Sequence, residues 1–131
     1  MSNSSSTALK ASFLGGLFAM TMLGVLGNAL AQSVPHSFIA SPDVYKVIAE
    51  NEQYRVVAVT WKPGQRDAWH SHPVAAVYNL TDCNMRVYTP DGKSRDSNTK
   101  VGASSVNPPV PSHSLENVGQ TECRLIIFEP K

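Results

Sequence analysis

The hydrophobic pattern divides the chain in two. From Phe13 to Ala31 no residue is charged, and Leu, Met, Phe, Ala and Gly dominate. Beyond Gln32 no stretch repeats apolar residues at three-and-four spacing long enough for a helix. Short β-rich runs alternate with turn residues instead. The runs are Val44 to Ala49, Tyr54 to Trp61, Ala75 to Leu80, Met85 to Thr89, Ser112 to Val118 and Arg124 to Glu129. Tyr54 to Trp61 is the clearest, rich in β-branched residues and free of breakers. Pro90-Asp91-Gly92 is a strong turn signal. Gly64, Gly92, Gly102 and Gly119 all fall between runs, where positive φ is expected. Short strands at regular spacing predict an all-β sandwich or closed barrel. Residues 32–42 are a polar, Pro-containing lead-in, expected to be loosely held.

The first segment reads as a secretory signal peptide over residues 1–31. Lys10 gives a basic start, the middle is apolar, and Ala29-Leu30-Ala31 is a small-x-small cleavage site. A membrane span needs roughly 20 apolar residues, and the Gly-rich tail of this run leaves its continuous apolar part shorter. The remainder, residues 32–131, is enough for one modest core. A periplasmic or secreted location follows, with no membrane insertion after cleavage. The whole chain of 131 residues has a formal net charge of +1, and removing Lys10 brings it to zero. A neutral chain has no broad basic face, which argues against nucleic acid as a partner.

Chemistry is concentrated in the histidines. His70 and His72 flank Ser71, and on an extended segment alternate side chains share a face. Both imidazoles can therefore take adjacent positions on one metal ion. His113 lies some forty residues later in another β-like run, where a distant strand can close a site around the ion. His36 belongs to the lead-in and is given no role.

The stretch Gly64-Gln65-Arg66-Asp67-Ala68-Trp69-His70-Ser71-His72 resembles the first cupin motif: Gly, five residues, His-x-His. Gly102, Pro108, His113 and Asn117 resemble the second: Gly, five residues, Pro, four residues, His, three residues, Asn. Two ordered motifs at matched spacing are far more specific than one. The resemblance covers about Asn51 to Glu129. It implies an all-β, single-domain jelly-roll or double-stranded β-helix barrel over residues 32–131, with His70, His72 and His113 as metal ligands. The pattern is broken at the Glu expected three or four residues after the second His, where Ala76 and Val77 stand. Cys83 and Val110 replace two motif glycines.

Three neutral imidazoles leave a divalent ion its full charge, a stronger Lewis acid than a site containing Glu. Fe, Zn, Mn, Ni and Cu are all compatible with the residues. Ala76, Tyr78 and Leu80 share a face by alternation. With Leu115 they are expected to line a substrate cavity for a small-molecule ligand. Asp67 is expected in a solvated loop, and Asn117 to brace the turn at Val118-Gly119. Three functions compete: a small exported metalloenzyme of oxygenase, isomerase or lyase type, a non-catalytic metal- or ligand-binding module of the cell envelope, and a structural cupin with empty histidines. A homodimer is compatible with each. Finally, resemblance places the strands after Cys83 and Cys123 as antiparallel neighbours. The two cysteines would then stand at opposite ends of the pair, roughly 15–20 Å apart, and no bond within the chain is expected.

Overall fold

Among the described residues there are nine strands and one helical turn, and six of the strands fall on these runs. The structure is a computed structural model and describes residues 33–131. The signal segment expected over residues 1–31 lies outside the described residues. The strands are β1 Tyr45–Glu50, β2 Tyr54–Trp61, β3 His70–His72, β4 Ala75–Asn79, β5 Cys83–Tyr88, β6 Ser94–Thr99, β7 Ser104–Asn107, β8 Val110–Asn117 and β9 Cys123–Pro130, preceded by α1, Ser37–Ala40. One sheet has the order β1-β2-β9-β4-β7 and the other β3-β8-β5-β6. All pairings between these strands are antiparallel. No helix among the described residues is long and apolar enough to cross a membrane.

Alternation decides what each sheet buries. On β2, Val57, Val59 and Trp61 turn inward, and on β5 Cys83, Met85 and Val87 do. All of these but Val87 meet Tyr45, Ala75 and Ile127 in one core. Complete burial of Val57 or Val59 contributes roughly 1.5–3 kcal/mol each. The jelly-roll expectation holds, but barrel closure does not: among the described residues no strand pairing joins the two sheets. Stacked sheets stand about 10 Å apart, whereas ladder pairing needs less than 5 Å. Edge strands β3 and β7, of three and four residues, are too short to curl across that gap.

Two expectations about faces and ends are overturned. On β4 the inward residues are Ala75, Val77 and Asn79, whereas Ala76, Tyr78 and Leu80 face out. Val77 pairs with the buried Ile127 of β9, and Ala76 with the exposed Phe128. Both faces of this run are largely apolar, so its pattern left the choice of face to the register.

Cys83 and Cys123 form a disulfide, with their Cα atoms 4.8 Å apart. The error lay in treating β5 and β9 as neighbours in one sheet. They belong to opposite sheets. β5 is antiparallel to β8, and the chain reverses again between β8 and β9. Both strands thus begin at the same end of the sandwich, and the bridge ties the two layers together there.

The lead-in is also held. The Ser71 amide donates to Pro35 O, the Ser71 hydroxyl donates to Val34 O, and Ser37 and Ser41 are buried. Four residues of it form α1, where no helix was expected. Gly64, Gly92 and Gly102 have positive φ. Gly119 does not; a Cβ there would lie 3.1 Å from Asn117 Oδ1 and 3.3 Å from Asn84 Cβ, so space is its constraint.

Candidate metal centre

The pairing of β3 with β8 builds the site. It sets His70 directly opposite His113, and alternation puts His72 on the same side as His70. The three rings meet, with centroid separations of 4.6 Å for His70–His113, 4.8 Å for His70–His72 and 5.3 Å for His72–His113. One ring nitrogen from each lies within 4.8 Å of the others. His70 Nε2 and His72 Nε2 are 3.0 Å apart. The trio as a whole is wider than the roughly 3–4 Å that nitrogens around a bound ion would show.

The residues behind the rings determine which nitrogens are free. His70 Nδ1 is 2.8 Å from Ala68 O, which can only accept, so Nδ1 carries the proton and Nε2 a lone pair. Asp67 Oδ1 stands 3.6 Å from the same Nδ1. Behind His72, Glu129 Oε2 stands 3.5 Å from Nδ1 without a hydrogen bond between them. Carboxylates placed behind ligating imidazoles in this way fix ring orientation and raise ligand basicity.

Asp67 is buried rather than solvated. Its Oδ2 accepts hydrogen bonds from the Tyr45 hydroxyl at 2.8 Å and from Trp61 Nε1 at 3.0 Å, and its Oδ1 accepts from the Leu115 amide at 2.7 Å. Each of these buried donors would cost about 1–3 kcal/mol if left unpaired, so Asp67 locks the loop before β3 onto the core. The Tyr45 proton goes to Asp67, which leaves its oxygen lone pairs facing His70 Nε2 at 3.2 Å. Burial, then the Asp67 charge, hold the Tyr45 phenol well above its ordinary pKa.

Tyr45 was not singled out from the sequence. It opens an ordinary β run, and only the pairing Tyr45↔Val59 brings it beneath the histidines. Glu129 was missed despite a readable signal: it alternates with Leu125 and Ile127 on the inward side of β9, a charge on an apolar face. Asn117 braces its turn as expected. Its Oδ1 accepts from the Gly119 amide, and its Nδ2 donates to Trp61 O and Thr121 O.

The cluster fits a cation. His113 Nε2 is buried with no hydrogen-bond partner. His70 Nε2 and His72 Nε2 face each other at 3.0 Å, and the Tyr45 hydroxyl oxygen lies 3.2 Å from His70 Nε2. Burial holds His113 down to about 3, with the neighbouring His70 and His72 adding to the effect, and burial also lowers His70. Neutral imidazole is the form that binds metal. Among the described residues no carboxylate joins the three nitrogens. Of the two positions where the motif Glu was expected, Val77 faces inward.

His72 and His113 open onto a cavity of about 480 Å³. Leu115 lines it. Ala76, Tyr78 and Leu80 do not; Val77, Asn79 and Ala75 take their place. Ala76 and Tyr78 line a separate groove on the outer face of the five-stranded sheet.

No protein-family model and no curated protein matches the sequence. Solved structures do match the fold. A cupin domain from Bordetella pertussis Tohama I is 26% identical, with a TM-score of 0.62 over 75% of this chain and 96% of that one. A conserved protein with a double-stranded β-helix domain from Klebsiella pneumoniae is 21% identical, with a TM-score of 0.53 over 66% of this chain and 76% of that one. The polyketide cyclase RemF from Streptomyces resistomycificus is 16% identical, with a TM-score of 0.50 over 66% and 63% of the two chains. The described chain has the cupin double-stranded β-helix fold.

Proposed function

We propose that this chain holds one divalent transition-metal ion on His70, His72 and His113, and acts as a small metalloenzyme of oxygenase, isomerase or lyase type on a small chelating compound. The supporting observation is the convergence of three imidazoles, two of which, His72 and His113, lie on the wall of a cavity. Three protein ligands leave coordination positions open, the mark of catalytic rather than structural sites. When bound, the ion would supply Lewis-acid or redox chemistry to a ligand that chelates it.

The chain's own residues have defined tasks in this reading. Ala68 O holds His70 in the tautomer that exposes Nε2, and Glu129 places a carboxylate beside His72. Asp67 fixes the loop that carries His70 and orients the Tyr45 hydroxyl. Val77, Leu115, Leu125 and Ile127 shape a largely apolar wall that excludes water from a bound ligand.

A second reading, a non-catalytic metal- or ligand-binding module, draws on a different observation. Among the described residues no Asp or Glu lines the cavity, so none of their carboxylates can serve there as a general base. Export is part of the proposal under both readings. The apolar segment before Gln32 reads as a leader, and the Cys83–Cys123 disulfide fits an oxidising compartment such as the periplasm or the exterior.

The test is expression of the full chain with its own leader, fractionation, and elemental analysis of the purified protein. Recovery outside the cytoplasm with near-stoichiometric iron or manganese supports the enzyme reading. Protein that carries no metal and takes up none when it is added overturns both.

A further inference from the structure

We propose that Arg95 makes the cavity an anion site, so that the small ligand is a carboxylate, held by the guanidinium at one end and by the three-histidine centre at the other. This rests on the metal reading for the second contact and on Arg95 for the first.

Register places the arginine. Arg95 of β6 pairs with Val87 of β5. Cross-strand partners share a face, and Val87 is buried on the inner face, so Arg95 stands on the inner side of β6, where it remains solvent-exposed. Ser97 and Thr99 follow on the same face, opposite Met85 and Cys83. All three line the cavity that His72 and His113 also line.

The remaining observations concern charge. Apart from histidines, Arg95 is the one ionisable group of ordinary charge at neutral pH among the described residues of the lining, and none of those residues is acidic. Three other arginines are engaged elsewhere, Arg55 near Glu129, Arg66 on Ser114 and over the Tyr88 ring, and Arg86 on Asp96, and Arg124 does not line the cavity. Among the described residues Arg95 has no ion pair, and its guanidinium keeps its donors free. A lone cation on a polar strip, facing largely apolar walls, attracts an anion and concentrates its field there. A guanidinium fork matches a carboxylate in two parallel hydrogen bonds. Three neutral imidazoles add no negative charge that would oppose this, and a divalent ion would add to the attraction.

The experiment uses malonate and lactate as probes, with malonamide as the uncharged counterpart. Calorimetric titrations compare the cobalt-loaded full chain with Arg95→Gln, Arg95→Lys and Arg86→Gln, the last lying on the outer face of the same sheet. We expect at least one acid to bind the parent protein, malonamide to bind at least tenfold more weakly than malonate where malonate binds, and Arg95→Gln to lose at least tenfold. Arg95→Lys should recover part of that loss and Arg86→Gln should match the parent. Equal affinity in the parent and Arg95→Gln, or no binding of either acid, overturns the proposal. Failure to take up cobalt would count against the metal reading instead. The anion site is then decided on the metal-free protein by NMR: a shift of the Arg95 side-chain resonance on adding acid upholds it, and no shift overturns it.

Discussion

Glu129 Oε2 stands 3.5 Å from His72 Nδ1, and both of its carboxylate oxygens are buried without a hydrogen-bond partner. Arg55 Nε approaches the other oxygen at 3.7 Å. The last strand therefore places a carboxylate behind a histidine of the centre, although the first motif lacks its usual Glu. Loss of such a partner typically weakens metal binding by about 10–100-fold. Glu129→Gln keeps the shape and removes the charge. Its zinc affinity, measured by competition with a chelating dye, should fall within that range while the far-ultraviolet circular dichroism stays unchanged. Unaltered affinity would show that Glu129 has no hold on the centre.

The disulfide should make a large contribution to stability. It closes a sequence separation of 40 residues, and chain entropy for such a loop gives about 4 kcal/mol. A paired Cys83→Ala, Cys123→Ala variant should lower the unfolding free energy from urea titration by that order. The unfolded parent should show no titratable thiol until a reductant is added. Two thiols in the unreduced, unfolded protein would contradict the bridge.

Acid should weaken the metal-free fold before most carboxylates titrate. Burial keeps His113 neutral down to about 3 and also lowers His70, whereas in the unfolded chain both return to about 6.5. Below pH 6.5 the unfolded chain binds protons that the folded chain refuses. Stability is therefore fully present above about 6.5 and declines as pH falls toward 3. Urea midpoints at several pH values between 6.5 and 4.5 should decrease, less steeply in His113→Asn. Imidazole NMR signals of His113 that titrate near 6.5 in the folded protein would contradict this.

The fold was legible where side chains alternate and illegible where backbone alone makes the strand. Tyr54–Trp61 matches β2 to the residue because its β-branched residues fit a half-buried sheet. β6, Ser-Arg-Asp-Ser-Asn-Thr, has no apolar position; its ladder with β5 is a tertiary event that no local propensity announces. The histidines could be found because their spacing matches two ordered motifs. Tyr45 could not, since long-range pairing alone brings it to them. The face of β4 was misread because Ala76, Tyr78 and Leu80 are no less apolar than Ala75, Val77 and Asn79. The cysteines were misread because neighbours within a sheet and neighbours across a sandwich look the same in a list of strands.

The most direct test of the account is cobalt titration of the metal-free protein, followed by its visible absorption, in the parent and in His70→Ala, His72→Ala and His113→Ala. The account predicts saturation at one ion per chain with ligand-field bands in the parent. Each variant should lose those bands and at least tenfold in affinity while keeping its β-sheet circular dichroism. Parent protein that binds no cobalt, or variants that bind it as tightly as the parent, would contradict the assignment of these three histidines as the metal centre.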